Sequence, residues 1–354
     1  MNGSWIRKIF MANRFKRRLN SSLTLPDPPS ELVKVSWFTL SMLVSFFGSI
    51  LLILLLFHIV RTKLTGSTVL IAHLLALQLL LCSVYFPILF IDSFAGLNGA
   101  SLNLNCPVLL LMYIGAVQAQ HWASLVLAIN RYVAIALPHH YRKLVSKPVL
   151  TMMILAPWII GTGGTIPLYF GSGGKFGVKP VYGYCAITVA GRVYGFRALW
   201  QTIGTYIPTV LMGIIYVTLF LRLAIDGRVC FGRTREKEDL TGLEKRLEKR
   251  VTMAKMLVAA HVCYCVCFLP GPIVVLAFPQ LYGQHLMLAH WLNGFLTLCG
   301  YAASPVIFLC LSSDYRTGVR NLFTQRNSRE QLIRLKHAVS TSNDSLPIIR
   351  LRTQ

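Results

Sequence analysis

Along this chain the apolar residues do not alternate with polar ones but gather into seven long runs. They cover approximately 35–60, 68–92, 107–137, 148–170, 198–224, 251–278 and 287–311. A helix needs roughly 20 mostly apolar residues to cross a bilayer, and every run reaches that length. Hydrocarbon offers backbone N–H and C=O groups no partner, so each spanning segment has to be helical. Glycine and proline inside several runs do not count against this, because neighbouring helices re-satisfy the freed carbonyls. The expected fold class is all-α, a seven-transmembrane helix bundle.

The segments between the runs add detail. The fourth and fifth helices are separated by a long stretch, "GSGGKFGVKPVYGYCAITVAGRVYG", whose alternating Val, Tyr and Ile predict a short β-hairpin. The segment from Arg222 to Arg250 is charged throughout. Within it Thr241 and Glu244 fit a capping box, and Leu243, Leu247, Val251 and Ala254 follow at helical spacing. Helix 6 is therefore expected to begin near Thr241. In "SDYRTGVRNLF", Tyr315, Val319, Leu322 and Phe323 share one face, with Arg316 and Arg320 outside it. This predicts a short amphipathic eighth helix on the membrane surface; a disordered tail is the alternative. Four parts result: a tail 1–34, the seven-helix domain 35–312, the surface helix 313–324 and an unstructured tail 325–354.

Composition agrees with immersion in lipid. The chain is 55% hydrophobic and 13% charged, with a mean hydropathy of +0.58, whereas a soluble domain has about a quarter of its residues charged. The net charge of +23 suggests nucleic acid until its distribution is considered. Cations concentrate in alternate loops: Arg61 and Lys63, then Arg142, Lys143 and Lys147, then the segment before helix 6 and the tail after helix 7. Lysine and arginine in short loops mark the cytoplasmic side. The bias places the amino terminus outside and the carboxyl terminus inside, as in a multi-pass plasma-membrane protein, and sets nucleic acid aside as a partner. The basic stretch "IRKIFMANRFKRRLN" disagrees; six later loops outweigh it. Asn2 and Asn20 head glycosylation sequons. No run before Lys34 reads as a cleavable signal, so helix 1 is expected to act as the insertion signal.

A spaced set of residues then resembles the rhodopsin-like (class A) G-protein-coupled receptors over roughly residues 35–324. Asn130-Arg131-Tyr132 resembles the Asp-Arg-Tyr closing that family's third helix. Cys106 precedes Arg131 by the family's usual spacing, and Cys185 lies where its partner belongs. Trp158 sits in helix 4, and Pro208 and Tyr216 in helix 5. Cys267-Phe268-Leu269-Pro270 resembles Cys-Trp-x-Pro, and Ser304-Pro305-Val306-Ile307-Phe308 resembles Asn-Pro-x-x-Tyr. The resemblance implies a disulfide between Cys106 and Cys185 on the oxidising side. It further implies an extracellular ligand, heterotrimeric G proteins as cytosolic partners, and arrestin and receptor kinases besides membrane lipids. It carries G-protein coupling to Asn130, Arg131, Tyr132, Tyr216 and Arg250, and the activation switch to Phe268, Pro270, Ser304, Pro305 and Phe308. Arg131 suits its role, since a guanidinium caps carbonyls with five donors; snorkelling to the interface is its simpler reading. The other cysteines read as buried small hydrophobes, because residues two apart on a helix, such as Cys263, Cys265 and Cys267, cannot converge on a metal. Cys230 reads as a free thiol. No cofactor and no enzymatic site is expected.

Several positions depart from the family pattern. Gln78 stands where relatives carry an intramembrane aspartate, accompanied by Ser49, Ser304 and Gln120. These are expected to form a hydrogen-bonded polar core without bound sodium, since amide carbonyls alone compensate a cation poorly. Asn130 and Arg250 replace the two acids that hold relatives inactive, which implies elevated basal activity. Phe308, lacking a hydroxyl, opposes that effect.

The expected ligand pocket is Tyr113, Val117, Arg197, Trp200, Phe268, Trp291 and Phe295, largely aromatic and uncharged. It suits an apolar or weakly anionic ligand, or a peptide with aromatic anchors. Tyr113 replaces the aspartate of amine receptors, and helix 7 lacks the lysine an opsin needs. Asn-Arg-Tyr is similar to the melatonin-type branch and related invertebrate orphans, without that branch's Asn-Ala in helix 7. A chemosensory receptor and a non-signalling decoy are the alternatives. A transporter is disfavoured by the absence of internal repeats.

Overall fold

The structure, a computed structural model, describes residues 30–61, 66–172, 174–179, 183–188, 194–233, 258–278, 285–313 and 315–320. Seven helices among them are long and apolar enough to cross a membrane: Glu31–Arg61, Thr68–Leu97, Cys106–Ala136, Lys147–Tyr169, Leu199–Arg222, Val258–Val275 and Leu286–Leu311. They are numbered helix 1 to helix 7. Each overlaps one of the seven apolar runs. The start of helix 6 near Thr241, Arg250, the sequons at Asn2 and Asn20, the tail 325–354 and the side chain of Cys230 lie outside the described residues.

Helix 1 shows how such a chain chooses its inner face. Leu40, Leu43, Phe47, Ile50 and Ile53 are exposed, a stripe of large apolar residues for lipid to cover. The opposite face buries Trp37, Ser41, Ser45, Gly48, Leu52 and Leu55. The small and hydroxylated residues thus turn inward, the inverse of a soluble helix. Ser45 Oγ donates to the carbonyl of Cys82 in helix 2, and a Cβ on Gly48 would lie 2.8 Å from Ala302 Cβ in helix 7. Small residues let helix backbones approach where no hydrophobic drive holds them.

Helix 3 is the central post. Asn105 caps it, its side chain accepting from Val108 N at 3.4 Å, with Pro107 in the first turn. Its closest neighbour is helix 4: a Cβ on Gly161 would come within 2.7 Å of both Ala119 N and Gly115 O. Trp158 Nε1 donates to His73 Nε2 at 3.1 Å, tying helix 4 to helix 2. A short helix, Pro138–Leu144, follows helix 3 and was not expected from the sequence.

Three helices contain π-helical turns: Leu81–Tyr85 in helix 2, Thr202–Tyr206 in helix 5 and His290–Leu296 in helix 7. Each accommodates extra chain per turn and so rotates the face that follows. Helix 6 bends at Leu269, where Pro270 has no N–H to donate.

The predicted hairpin is present, β1 (Lys175–Val178) antiparallel to β2 (Cys185–Thr188), with Val178 opposite Cys185. After helix 7, residues 315–320 are helical, with Tyr315 and Val319 half-buried and Arg316 and Arg320 exposed. Tyr315 packs edge-on to Phe308, ring centres 5.5 Å apart.

Candidate functional site

The end of the bundle that the loop charges mark as outer is organised by the hairpin. Cys185 on β2 is disulfide-bonded to Cys106 at the start of helix 3, Cα atoms 5.2 Å apart. Its backbone N–H also donates to Asp92 Oδ2 at 2.7 Å. Asp92 is 1% exposed; Oδ2 holds the hairpin, while Oδ1 is buried without a partner among the described residues. On the same hairpin Lys179 Nζ reaches Tyr184 Oη at 3.4 Å, and burial pushes its ammonium below the ordinary lysine value.

Beneath the hairpin lie two connected cavities. The outer one, about 480 Å³, runs between helices 2, 3 and 7 and is lined by Phe86, Phe90, Lys179 and His290 among others. The deeper one, about 260 Å³, lies between helices 3, 5, 6 and 7. Tyr113, Leu110, Ile187 and Asn293 border both. Of the expected pocket residues, Tyr113, Val117, Trp200 and Phe268 line the deeper cavity. Trp291 and Phe295 line neither; they are half-buried and stack edge-to-face at 4.9 Å. The cause is the π-helical turn of helix 7, which turns Asn293 to the cavity in their stead. The side chain of Arg197 lies outside the described residues.

The cavity is also more polar than the largely aromatic, uncharged site expected. Gln118, His121, Gln201 and Thr205 also line the deeper cavity. Gln118 and His121 were legible in one sense, as polar residues inside an apolar span on the face that carries Tyr113 and Val117. The register of Asn293 was not, because no residue pattern announces a π-helical turn.

The floor of this cavity is Phe268. Its ring contacts those of Tyr264 at 4.6 Å, Tyr301 at 4.8 Å and His121 at 5.5 Å. Phe268 also borders a third, inner cavity of about 80 Å³. There the structure brings together Gln78, Gln120, Ser304, Tyr216 and Phe308. The expected hydrogen-bonded network among the first three is not formed. Gln120 Nε2 donates along its own helix to Ser124 Oγ at 3.2 Å, and Gln78 Oε1 and Gln120 Oε1 are buried without a partner among the described residues. Ser49 Oγ is buried and unpaired too, and does not line this cavity. His261 was not foreseen: it packs edge-on to Tyr216, ring centres 5.3 Å apart, and its Nε2 lies 3.5 Å from Cys265 Sγ.

At the inner end Asn130 is fully buried, with both amide atoms unpaired among the described residues. Arg131 and Tyr132 are half-buried, and Arg131 lies within electrostatic reach of Tyr216. Pro305 is buried inside helix 7.

A bundle of seven membrane-crossing helices, pinned by an outer disulfide and holding cavities from the hairpin to helix 6, defines a multi-pass membrane receptor fold. The chain belongs to the 7 transmembrane receptor (rhodopsin family), whose description matches residues 30–307. It is similar to a protein described as a GQ-coupled rhodopsin from Mizuhopecten yessoensis, 21% identical over 171 residues, 47% of this chain. That match spans 33% of the curated relative's length. The fold is that of squid rhodopsin, with a TM-score of 0.69 at 15% identity over 84% of this chain and 87% of that one. Family and fold are those of receptors, not enzymes.

Proposed function

We propose that this chain is a plasma-membrane receptor that takes an extracellular ligand into the cavity beneath its hairpin and activates heterotrimeric G proteins through its inner end. The observation that carries this reading is the position of Phe268, which forms part of the wall of both the deeper ligand-sized cavity and the inner polar cavity. A ligand that displaces Phe268 shifts Tyr264 and Tyr301 with it, and helix 6 is already hinged one residue beyond, at Leu269 and Pro270. Outward swing of the inner half of helix 6 would expose Arg131 to a cytosolic partner.

The orientation, amino terminus outside, is supported by the cation-rich alternate loops and by a disulfide on the opposite end, where the compartment is oxidising. The parts 1–34, 35–312, 313–324 and 325–354 take the roles of outer tail, receptor domain, membrane-surface helix and cytoplasmic tail, and arrestin and receptor kinases fit the same inner face. Light sensing through a Schiff base is set aside, because helix 7 contains no lysine. A protonated amine is set aside too, since Tyr113 lines the cavities and the carboxylate of Asp92 lines neither.

The test is nucleotide exchange on a panel of purified G proteins with the receptor reconstituted in lipid. Acceleration on at least one, lost in Arg131→Ala, supports the reading. No acceleration on any points to the second reading, a non-signalling decoy, which Phe308 favours by bringing no hydroxyl to the cavity that holds Tyr216.

A further inference from the structure

Three buried polar atoms, on side chains that line the deeper cavity, lack partners among the described residues, and together they specify a chemistry. Gln118 and His121 stand three apart on helix 3, 4% and 3% exposed. His121 Nδ1 is 3.1 Å from the carbonyl oxygen of Gly204. A carbonyl only accepts, so the proton is on Nδ1 and neutral His121 keeps Nε2 as an acceptor. Nε2 has no partner, nor has Gln118 Oε1, a second acceptor, nor Trp200 Nε1, a donor. All three side chains line this one cavity, and none of its lining residues carries a formal charge.

The backbone is shaped to hold this arrangement. Gly204 lies inside the π-helical turn Thr202–Tyr206, and a Cβ there would collide with the Gln118 amide. The same glycine therefore admits Gln118 and supplies the carbonyl that fixes the His121 tautomer. A buried polar group left unpaired costs about 1–3 kcal/mol, and native proteins rarely leave three in one place without use for them.

Resting on the reading of this cavity as the ligand site, we infer that it takes an uncharged, mainly apolar small molecule bearing a hydroxyl. The hydroxyl donates to His121 Nε2 or Gln118 Oε1, and an oxygen of the ligand accepts from Trp200 Nε1. Tyr113, Val117, Leu110 and Phe268 cover the apolar body. An ammonium ion finds no carboxylate here. A carboxylate finds two acceptors facing it and no cation, a desolvation cost that a neutral hydroxyl avoids.

The experiment uses the purified full chain in lipid nanodiscs and four probes of one shape: 4-propylphenol, its methyl ether, 4-propylbenzoate and 4-propylbenzylamine. Thermal unfolding is followed against probe concentration, since a ligand of the native state raises its midpoint. The phenol is expected to stabilise at concentrations at least about tenfold lower than the other three, one hydrogen bond's worth. In His121→Phe the preference of phenol over ether shrinks, whereas Trp200→Phe, which removes a donor that either oxygen can use, weakens the response to both and keeps the preference. Equal response to phenol and ether, a stronger response to either ion, no response to any probe, or an undiminished preference in His121→Phe overturns the inference. Nucleotide exchange on the same preparations separates the two claims. Exchange without phenol preference sinks the ligand class alone, and phenol preference without exchange sinks the signalling reading alone.

Discussion

Asp92, the one acid at the outer ends of helices 2 to 7 among the described residues, accepts a hydrogen bond from the backbone N–H of Cys185 at 2.7 Å. It fastens the hairpin to helix 2, while the disulfide fastens the same residue to helix 3. The mouth of the bundle is thus shaped from two sides by contacts that meet at one position. Asp92→Ala leaves a buried N–H facing nothing and should lower thermal stability by about 1.5–3 kcal/mol, the worth of a bond to a charged group. Asp92→Asn keeps an acceptor and should recover most of the loss. Thermal unfolding of the two purified variants checks both.

The helix 3–helix 4 contact predicts a contrast between two neighbouring glycines. A Cβ on Gly161 would press on the backbone at Ala119 and Gly115, whereas Gly163 has nothing within 4 Å. Gly161→Ala should cost about 1–3 kcal/mol, as overpacking does, and cut the surface-expressed fraction. Gly163→Ala should stay within about 0.5 kcal/mol of the parent. Equal effects would mean the two helices do not touch as described.

Seven spans were legible because lipid imposes one demand, roughly 20 apolar residues per crossing, and nothing soluble competes with that pattern. The pairing of Cys106 with Cys185 was legible through the resemblance to the receptor family, and the hairpin through its alternation. The inner face of each helix was harder to read, since both faces of helix 1 are apolar enough for lipid and only Ser41, Ser45 and Gly48 mark the buried one. Trp291 and Phe295 lie outside both cavities because the π-helical turn His290–Leu296 breaks the 3.6-residue register that would bring them there. Gln118 and His121 were passed over because two polar residues in a span read as packing until Gly204 is seen opposite them.

Basal activity offers a test of the inner end. The family resemblance implies that Arg250 and Asn130 replace carboxylates that restrain relatives; a cation at 250 facing Arg131 would repel it by about a kcal/mol in screened surroundings. Arg250→Glu should therefore lower ligand-free nucleotide exchange about fivefold. An unchanged rate would mean that Arg250 does not face Arg131.

Sodium is the corresponding test of the inner cavity. Gln78, Gln120 and Ser304 line it without a carboxylate, and neutral amides compensate a cation poorly. Exchanging sodium for choline at constant ionic strength should leave signalling unaltered. In Gln78→Asp it should acquire a sodium response.

The central claim is that the ligand cavity and the inner cavity share a wall at Phe268. The most direct measurement is ligand-free nucleotide exchange by reconstituted Phe268→Leu beside the parent, at matched amounts of folded receptor. The account predicts a rate changed several-fold with Arg131→Ala inactive in both backgrounds. A Phe268→Leu rate equal to the parent's, with Arg131→Ala still abolishing exchange, would contradict it.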